Sequence, residues 1–235
     1  MALAKSLLGL ELSPAQLEAF GVYERELMEW NSRFNLTAIR DAEGIRIKHF
    51  LDSLTCLEAV NPATPPENLI DVGSGAGFPG LPLKIVLPQL KLTLVESIQK
   101  KAGFCQHMVE VLGLTDVEVV SSRAEELGQD VRYRERYDVA VARAVAAMPT
   151  LVEYLLPFVR IGGLALMQKG ANGADEAQTS SNAIRLMGGQ VKQVLPVVLP
   201  GLDDQRFLVV LEKIKPTRAE FPRRTGLPTK QPIGK

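Results

Sequence analysis

Apolar residues recur at helical spacing over roughly the first sixty positions of this chain and then change to short runs from about residue 68. Ser13-Pro14-Ala15-Gln16 reads as a helix start, with Ser at the N-cap, Pro at the first helical position and Gln where a capping box needs it. Leu17, Phe20, Leu27 and Trp30 then continue an amphipathic pattern to about Ser32. A polar connection through Thr37 leads to a second helical pattern over about 42–60, whose apolar side is Ile47, Phe50, Leu51, Leu54 and Leu57. Asn61-Pro62 through Pro65-Pro66 breaks it.

The later runs predict strands at 69–72, 92–96, 117–120, 137–142 and 164–168. Between them lie predicted helices at 79–87, 98–112 and 149–159, the last ended by Gly162-Gly163, and a further helix follows at 175–187. Two final runs, 191–199 and 207–211, are close enough to form an antiparallel pair. Alternating strands and helices specify an α/β fold with a doubly wound, mostly parallel seven-stranded sheet covered on both faces. The chain divides into an N-terminal helical extension (1–62), a central domain (63–214) and a Pro-rich tail (215–235).

Composition narrows this picture only a little. With 46% hydrophobic and 23% charged residues, the 235-residue chain is an ordinary globular mixture. Cys56 and Cys105 have no metal-ligand spacing, so reduced thiols and no metal are expected. No run is long enough for a membrane span, and a signal-peptide pattern is missing, which predicts a cytoplasmic protein, expected to be a monomer. Net charge is zero, but Lys213 to Lys235 holds seven basic residues against the single acid Glu220. Four prolines there predict an extended course, along which Arg223, Arg224 and Lys230 are candidate contacts to RNA phosphates.

Asp71-Val72-Gly73-Ser74-Gly75-Ala76-Gly77-Phe78 joins the first strand to the next helix. In a doubly wound sheet this loop lies where ligands bind, and its glycines let backbone approach a ligand closely. Glu96, closing the second strand, suits a ribose diol. Gly75 to Gly80 also fits the G-x-G-x-x-G dinucleotide pattern, but Pro79 removes an amide that a pyrophosphate would need. Asp71 suits a cationic ligand better than a phosphate, and S-adenosylmethionine carries a sulfonium and an ammonium. A nicotinamide oxidoreductase and a non-catalytic nucleotide-binding module remain the competing readings.

The acceptor chemistry follows by elimination. No polar-Pro-Pro-aromatic turn follows the fourth strand, which ends Val141-Ala142-Arg143-Ala144-Val145-Ala146. Neither cysteine stands where a nucleophile for carbon methylation would. The acceptor should then have its own lone pair, as guanine N7 has, and need no general base. Arg143 is the candidate catalytic residue, placed to reach guanine O6 or a phosphate, with an ion pair to Glu125 or Asp138 as its purely structural alternative. Backbone amides of Ala124 and Glu125 are candidates to read an adenine, and His49 and His107 are given no role.

These motifs together resemble the bacterial 16S ribosomal RNA guanine-N7 methyltransferase family, long called glucose-inhibited division protein B. The resemblance rests on Asn35 to Ile39 with His49 to Leu54, on Asp71 to Gly80, on Val141 to Ala146, and on Phe221 to Pro228 with Pro232. It implies a class I, Rossmann-like methyltransferase that binds S-adenosylmethionine and acts on 16S rRNA or the small ribosomal subunit. It implies cofactor contacts at Gly73, Gly75, Gly77 and Phe78, at Glu96, Ser97 and Ile98 for the ribose, at Ala124 and Glu125 for the adenine, and at Arg143. The family often has Asp where this chain has Glu96.

Overall fold

Alternate residues of each strand point to opposite faces of a sheet, and here both faces are apolar, as a sheet covered by helices on two sides requires. In a computed structural model that describes residues 2–60 and 64–234, Leu69, Leu92, Leu94, Val139, Val141, Leu166 and Val210 face one layer. Ile70, Val72, Val95, Ala140, Ala142, Met167 and Val209 face the other. The strands are β1 (Asn68–Val72), β2 (Lys91–Val95), β3 (Val117–Val120), β4 (Tyr137–Arg143), β5 (Val159–Lys169), β6 (Gly189–Val197) and β7 (Arg206–Lys213). They lie in the order β3-β2-β1-β4-β5-β7-β6. All pairs through β5 are parallel, and β7 runs antiparallel to both of its neighbours. The order reverses between β1 and β4, which opens a crevice beyond their carboxyl ends.

The helices are α1 (Ala2–Leu8), α2 (Pro14–Phe34), α3 (Ala42–Gly44), α4 (Asp52–Leu54), α5 (Gly80–Val86), α6 (Gln99–Val111), α7 (Ala124–Leu127), α8 (Met148–Leu155), α9 (Gly173–Thr179), α10 (Ser181–Leu186) and α11 (Leu227–Lys230). The Ser13 capping box is formed, with Gln16 and Ser13 reciprocally hydrogen-bonded. Leu17, expected on the buried side of α2, is 41% exposed; the buried side is Phe20, Tyr23, Leu27 and Asn31. The expected helix over 42–60 is a composite: α3 widens into a π-helix at Ile45–Leu51, returns to α4, and tightens into a 3-10 turn at Thr55–Ala59. Asn61 and Pro62 of the expected breaker lie outside the described residues, as does Lys235 of the tail.

Two boundaries differ from expectation. Gly162-Gly163 does not end a helix; α8 stops at Leu155, two residues before Pro157, and the glycines lie inside β5 where its register with β4 shifts. A Cβ on Gly163 would stand 2.7 Å from the Asp138 carbonyl, so the bulge needs glycine. The expected helix over 175–187 is two helices meeting at Ser180.

The tail is bound rather than loose. Arg134 donates to the carbonyls of Gly128, Thr217, Arg218 and Phe221. Lys213, with no exposure, donates to Leu156 O and Thr217 Oγ1, and burial lowers its pKa to about 8. Arg223 closes on Glu153, itself fully buried, through Nε and Nη2 as well as its backbone amide. Arg223 is therefore a structural clamp and not a free phosphate contact, a correction to the sequence reading; Arg224 and Lys230 remain exposed.

Candidate functional site

The loop after β1 is shaped by glycines with positive φ. Gly73 (φ +73°) comes so close to Val145 that a Cβ would lie 2.6 Å from Cγ2. Gly75 (φ +61°) would place a Cβ in open space, so its missing side chain leaves bare backbone under a recess. That recess measures 210 Å³ and is bordered by Gly73, Gly75, Phe78, Glu96, His49 and Arg143. On the far side of Gly73 a narrower recess of 70 Å³ is bordered by Val72, Ser97, Ala124, Glu125, Val145 and Tyr154. The pair makes an elongated crevice across the carboxyl ends of β1, β2 and β4.

Glu96 sits between the two halves, 5% exposed. Its carboxylate accepts from Gly75 N at 2.9 Å and from Ile98 N at 2.8 Å, which leaves further lone pairs for a diol. Ala124 and Glu125 open α7, where no side chain caps the helix and its first amides are available to a ring edge. The Glu125 carboxylate turns away, accepting from Gly226 N and Tyr154 OH, so the tail is tied to the wall of this recess.

Three predicted residues are placed otherwise. Gly77 faces the interior, where a Cβ would strike Leu81 and Tyr23 Oη. Ile98 is 45% exposed and borders neither recess; its amide is held by Glu96. Asp71 does not reach the crevice: its carboxylate accepts from Gly80 N at 2.8 Å, and burial raises its pKa to about 7. This last contact argues against the dinucleotide alternative, because the first amide of α5, which a pyrophosphate would need, already serves an internal carboxylate.

Arg143 is at the rim, as its strand-end position predicts, but it is not free to swing. It donates to Lys48 O at 3.0 Å, to Asp52 Oδ2 at 2.8 Å and to His49 Nδ1 at 3.0 Å, and its guanidinium lies 5.1 Å from the Phe78 ring centre. The expected structural partners are otherwise engaged: Asp138 pairs with Arg160, and Glu125 faces the tail. With Arg143 donating to Nδ1, the His49 ring proton is on Nε2 and is donated to Thr37 Oγ1, 2.8 Å away. Burial and the Arg143 charge lower the His49 pKa to about 3, so the ring is neutral. It stacks on Phe78 at 4.4 Å, Tyr23 also stacks on Phe78 at 5.3 Å, and Tyr23 Oη donates to Ala76 O.

Sequence reasoning gave His49 no role and did not single out Tyr23; Thr37 and Asp52 entered within the motifs Asn35 to Ile39 and His49 to Leu54, with no role of their own. The available signal was polarity out of place: His49 and Asp52 interrupt an apolar stretch that also holds Phe50, Leu51 and Leu54. His107 pairs with Glu26 away from the crevice. Cys56 and Cys105 are buried, and burial pushes both thiols well up, which unsuits them as nucleophiles. Among the described residues no cluster of His, Cys, Asp or Glu is arranged to hold a metal ion, and no helix is long and apolar enough to cross a membrane.

Comparison with known proteins points to one family. The family model for rRNA small subunit methyltransferase G matches residues 16–205. A ribosomal RNA small subunit methyltransferase G from Roseiflexus sp. (strain RS-1) is 52% identical over 225 residues, covering 96% of this chain and 95% of the relative. One from Roseiflexus castenholzii is 54% identical over the same shares. Among solved structures, TrmN from Thermus thermophilus superposes with a TM-score of 0.54 at 17% identity, over 70% of this chain and 48% of that one, a likeness of fold alone.

Proposed function

Because the chain belongs to the rRNA small subunit methyltransferase G family, we propose that it transfers the methyl group of S-adenosylmethionine to N7 of a guanine in 16S rRNA. The observation that carries the reading is the pair of recesses meeting at Gly73, one bordered by the Gly75 backbone and the Glu96 carboxylate that it donates to, the other by Ser97, Ala124 and Glu125. When bound, S-adenosylmethionine supplies an electrophilic methyl on a sulfonium. In this reading Gly73, Gly75 and Phe78 hold the amino-acid end, Glu96 and Ser97 the ribose, and Ala124 and Glu125 the adenine.

The protein's part in the chemistry is orientation. Guanine N7 carries no proton, so the transfer needs no base, and the site offers none. His49 has both ring nitrogens engaged, and the Asp52 and Glu96 carboxylates are occupied by donors. Rate enhancement rests on holding the methyl and the lone pair in line. Arg143, fixed from three sides, directs its charge at a single place instead of sweeping the rim. Residues 63–214 carry the chemistry in this reading, and the flanking segments hold its two ends.

The chain acts as a monomer in the cytoplasm, where its substrate is. Its outer strand β6 carries exposed Lys192 and Pro196, which discourage edge-to-edge pairing. Sedimentation of the purified chain at micromolar concentration tests this, and a dimer overturns it.

The test of function is tritiated S-adenosylmethionine with small-subunit particles or their RNA, followed by borohydride and aniline cleavage, which cuts at N7-methylguanine. Label in RNA with a single cleavage is expected. Label without cleavage removes the acceptor atom, and binding without label leaves a non-catalytic module.

A further inference from the structure

Beyond Arg143, on the side away from the glycine loop, lies a second cavity of 430 Å³ between β4, β5, β7 and the composite helix. His49, Arg143 and Ala144 border both this cavity and the recess over Gly75, so the two meet at one septum. Ala144 there is exposed and holds φ +55°, a left-handed conformation unfavourable for a residue with a Cβ and found preferentially at functional sites.

The cavity's chemistry is specific. Its cations are Lys48, Arg143, Lys169 and Arg206, against two carboxylates, Asp52 and Glu176. The Asp52 carboxylate lies between the two arginines, 2.8 Å from Arg143 and 3.5 Å from Arg206. Glu176 is tied to Lys169 at 2.8 Å. Arg206 is also paired with Asp204, 2.6 Å away and outside the lining, so one positive charge is in excess, and the ammonium of Lys48 has no hydrogen-bond or ion-pair partner among the described residues. Arg206 Nε is one of only four buried side-chain polar atoms among the described residues without a partner. Gln168 Oε1, in another residue of the lining, is a second. Unsatisfied polar atoms are rare in native interiors, and each calls for a physical explanation. The apolar part of the wall includes Phe207, whose Cβ is backed by Gly173 so closely that a methyl there would lie 2.9 Å away.

We propose that this cavity receives one nucleotide of the RNA, turned out of its stack, with its base against Phe207 and a flanking phosphate on Lys48. The inference rests on the methyltransferase reading above and names the acceptor's side of that site. An aromatic side chain fits any base face, and the unpaired Lys48 ammonium suits a phosphate of the displaced nucleotide. The base edge then faces the Arg143 septum, across which the Gly75 recess opens. Volume agrees as well, since 430 Å³ lies in the range of small-molecule sites.

Two substitutions test it without disturbing the cofactor crevice, since neither residue borders it: Lys48→Ala and Phe207→Leu. Calorimetry with S-adenosylhomocysteine reports folding and the cofactor site, and is expected to give a dissociation constant within about twofold of the parent. The apparent KM for RNA is expected to rise about tenfold in Phe207→Leu. In Lys48→Ala the slope of log binding constant against log salt should become shallower by about 0.7 to 0.9, the effect of one phosphate contact. Unchanged RNA KM and salt slope with normal S-adenosylhomocysteine binding overturn the proposal, and so does a parallel loss of S-adenosylhomocysteine affinity. If the parent protein methylates no RNA, the functional reading itself fails and the cavity's role goes with it; an active parent with indifferent variants removes the cavity's role alone.

Discussion

Gly75 and His49 carry the sharpest tests at the scale of single residues. A methyl group at Gly75 meets no protein atom nearer than the Gly73 carbonyl at 4.0 Å, so Gly75→Ala should fold with a loss of about 1 kcal/mol from its positive φ. The methyl stands in the recess, however, and the affinity for S-adenosylhomocysteine by calorimetry should fall at least about tenfold. Undiminished affinity would mean that ligand does not approach this backbone. For His49 the sign of the pH effect is fixed by its lowered pKa. The ring is neutral when folded and takes a proton near pH 6.5 when unfolded, so its contribution to stability is whole above that pH and declines as pH falls toward about 3. Its imidazole NMR signals should therefore stay at neutral positions down to pH 5. A midpoint near 6.5 would show that Arg143 does not hold Nδ1.

Among the elements, the composite helix decides the most. Its π-helical turn over Ile45–Leu51 brings the Lys48 carbonyl, the His49 ring and, one step on, the Asp52 carboxylate onto Arg143. Widened turns of this kind are often found at functional sites, and here the turn fixes a charge at the rim. Asp52 is 3% exposed and faces two guanidiniums, so Asp52→Ala leaves buried positive charge uncompensated. A loss of about 3 to 5 kcal/mol is expected from urea denaturation, with kcat falling because Arg143 loses its anchor. Asp52→Asn, which keeps the volume and one acceptor, should recover part of the stability. If Asp52→Ala leaves both stability and kcat intact, Arg143 is positioned by something other than this helix.

The whole molecule is closed at both ends by segments outside the central sheet. α2 and the composite helix share a core with one face of the sheet through Tyr23, Leu27, Phe50 and Phe78. The tail crosses the opposite layer, where Arg223 neutralises Glu153 and Gly226 holds Glu125 at the narrow recess. Arg223→Ala should then lower stability by about 3 to 5 kcal/mol, because Glu153 has no exposure to water, whereas Arg224→Ala should leave the urea midpoint unchanged. Equal midpoints for the two variants would show that the Arg223 pair contributes nothing. Since Glu125 borders the narrow recess, loss of the tail is expected to weaken cofactor binding as well as folding.

Local chemistry was enough to determine the elements and the glycine loop. The Ser13 capping box, the short apolar runs of the strands and the positive-φ glycines act over a few neighbouring positions, so sequence alone carries them. The buried stripe of α2, the bulge at Gly162-Gly163 and the break at Ser180 were not legible, because each depends on what packs against the segment from far along the chain. The same holds within the site. Gly73, Phe78, Glu96 and Arg143 could be singled out from a loop and strand ends, but the partners of Arg143 lie more than ninety residues away in sequence. Arg223 looked like a phosphate ligand because a basic, Pro-rich tail has no local feature that distinguishes a solvated guanidinium from one facing a buried carboxylate. Only the tertiary structure supplies Glu153, Asp52 and the cavity beyond Ala144, since charge pairing and enclosure are properties of neighbours in space and not along the chain.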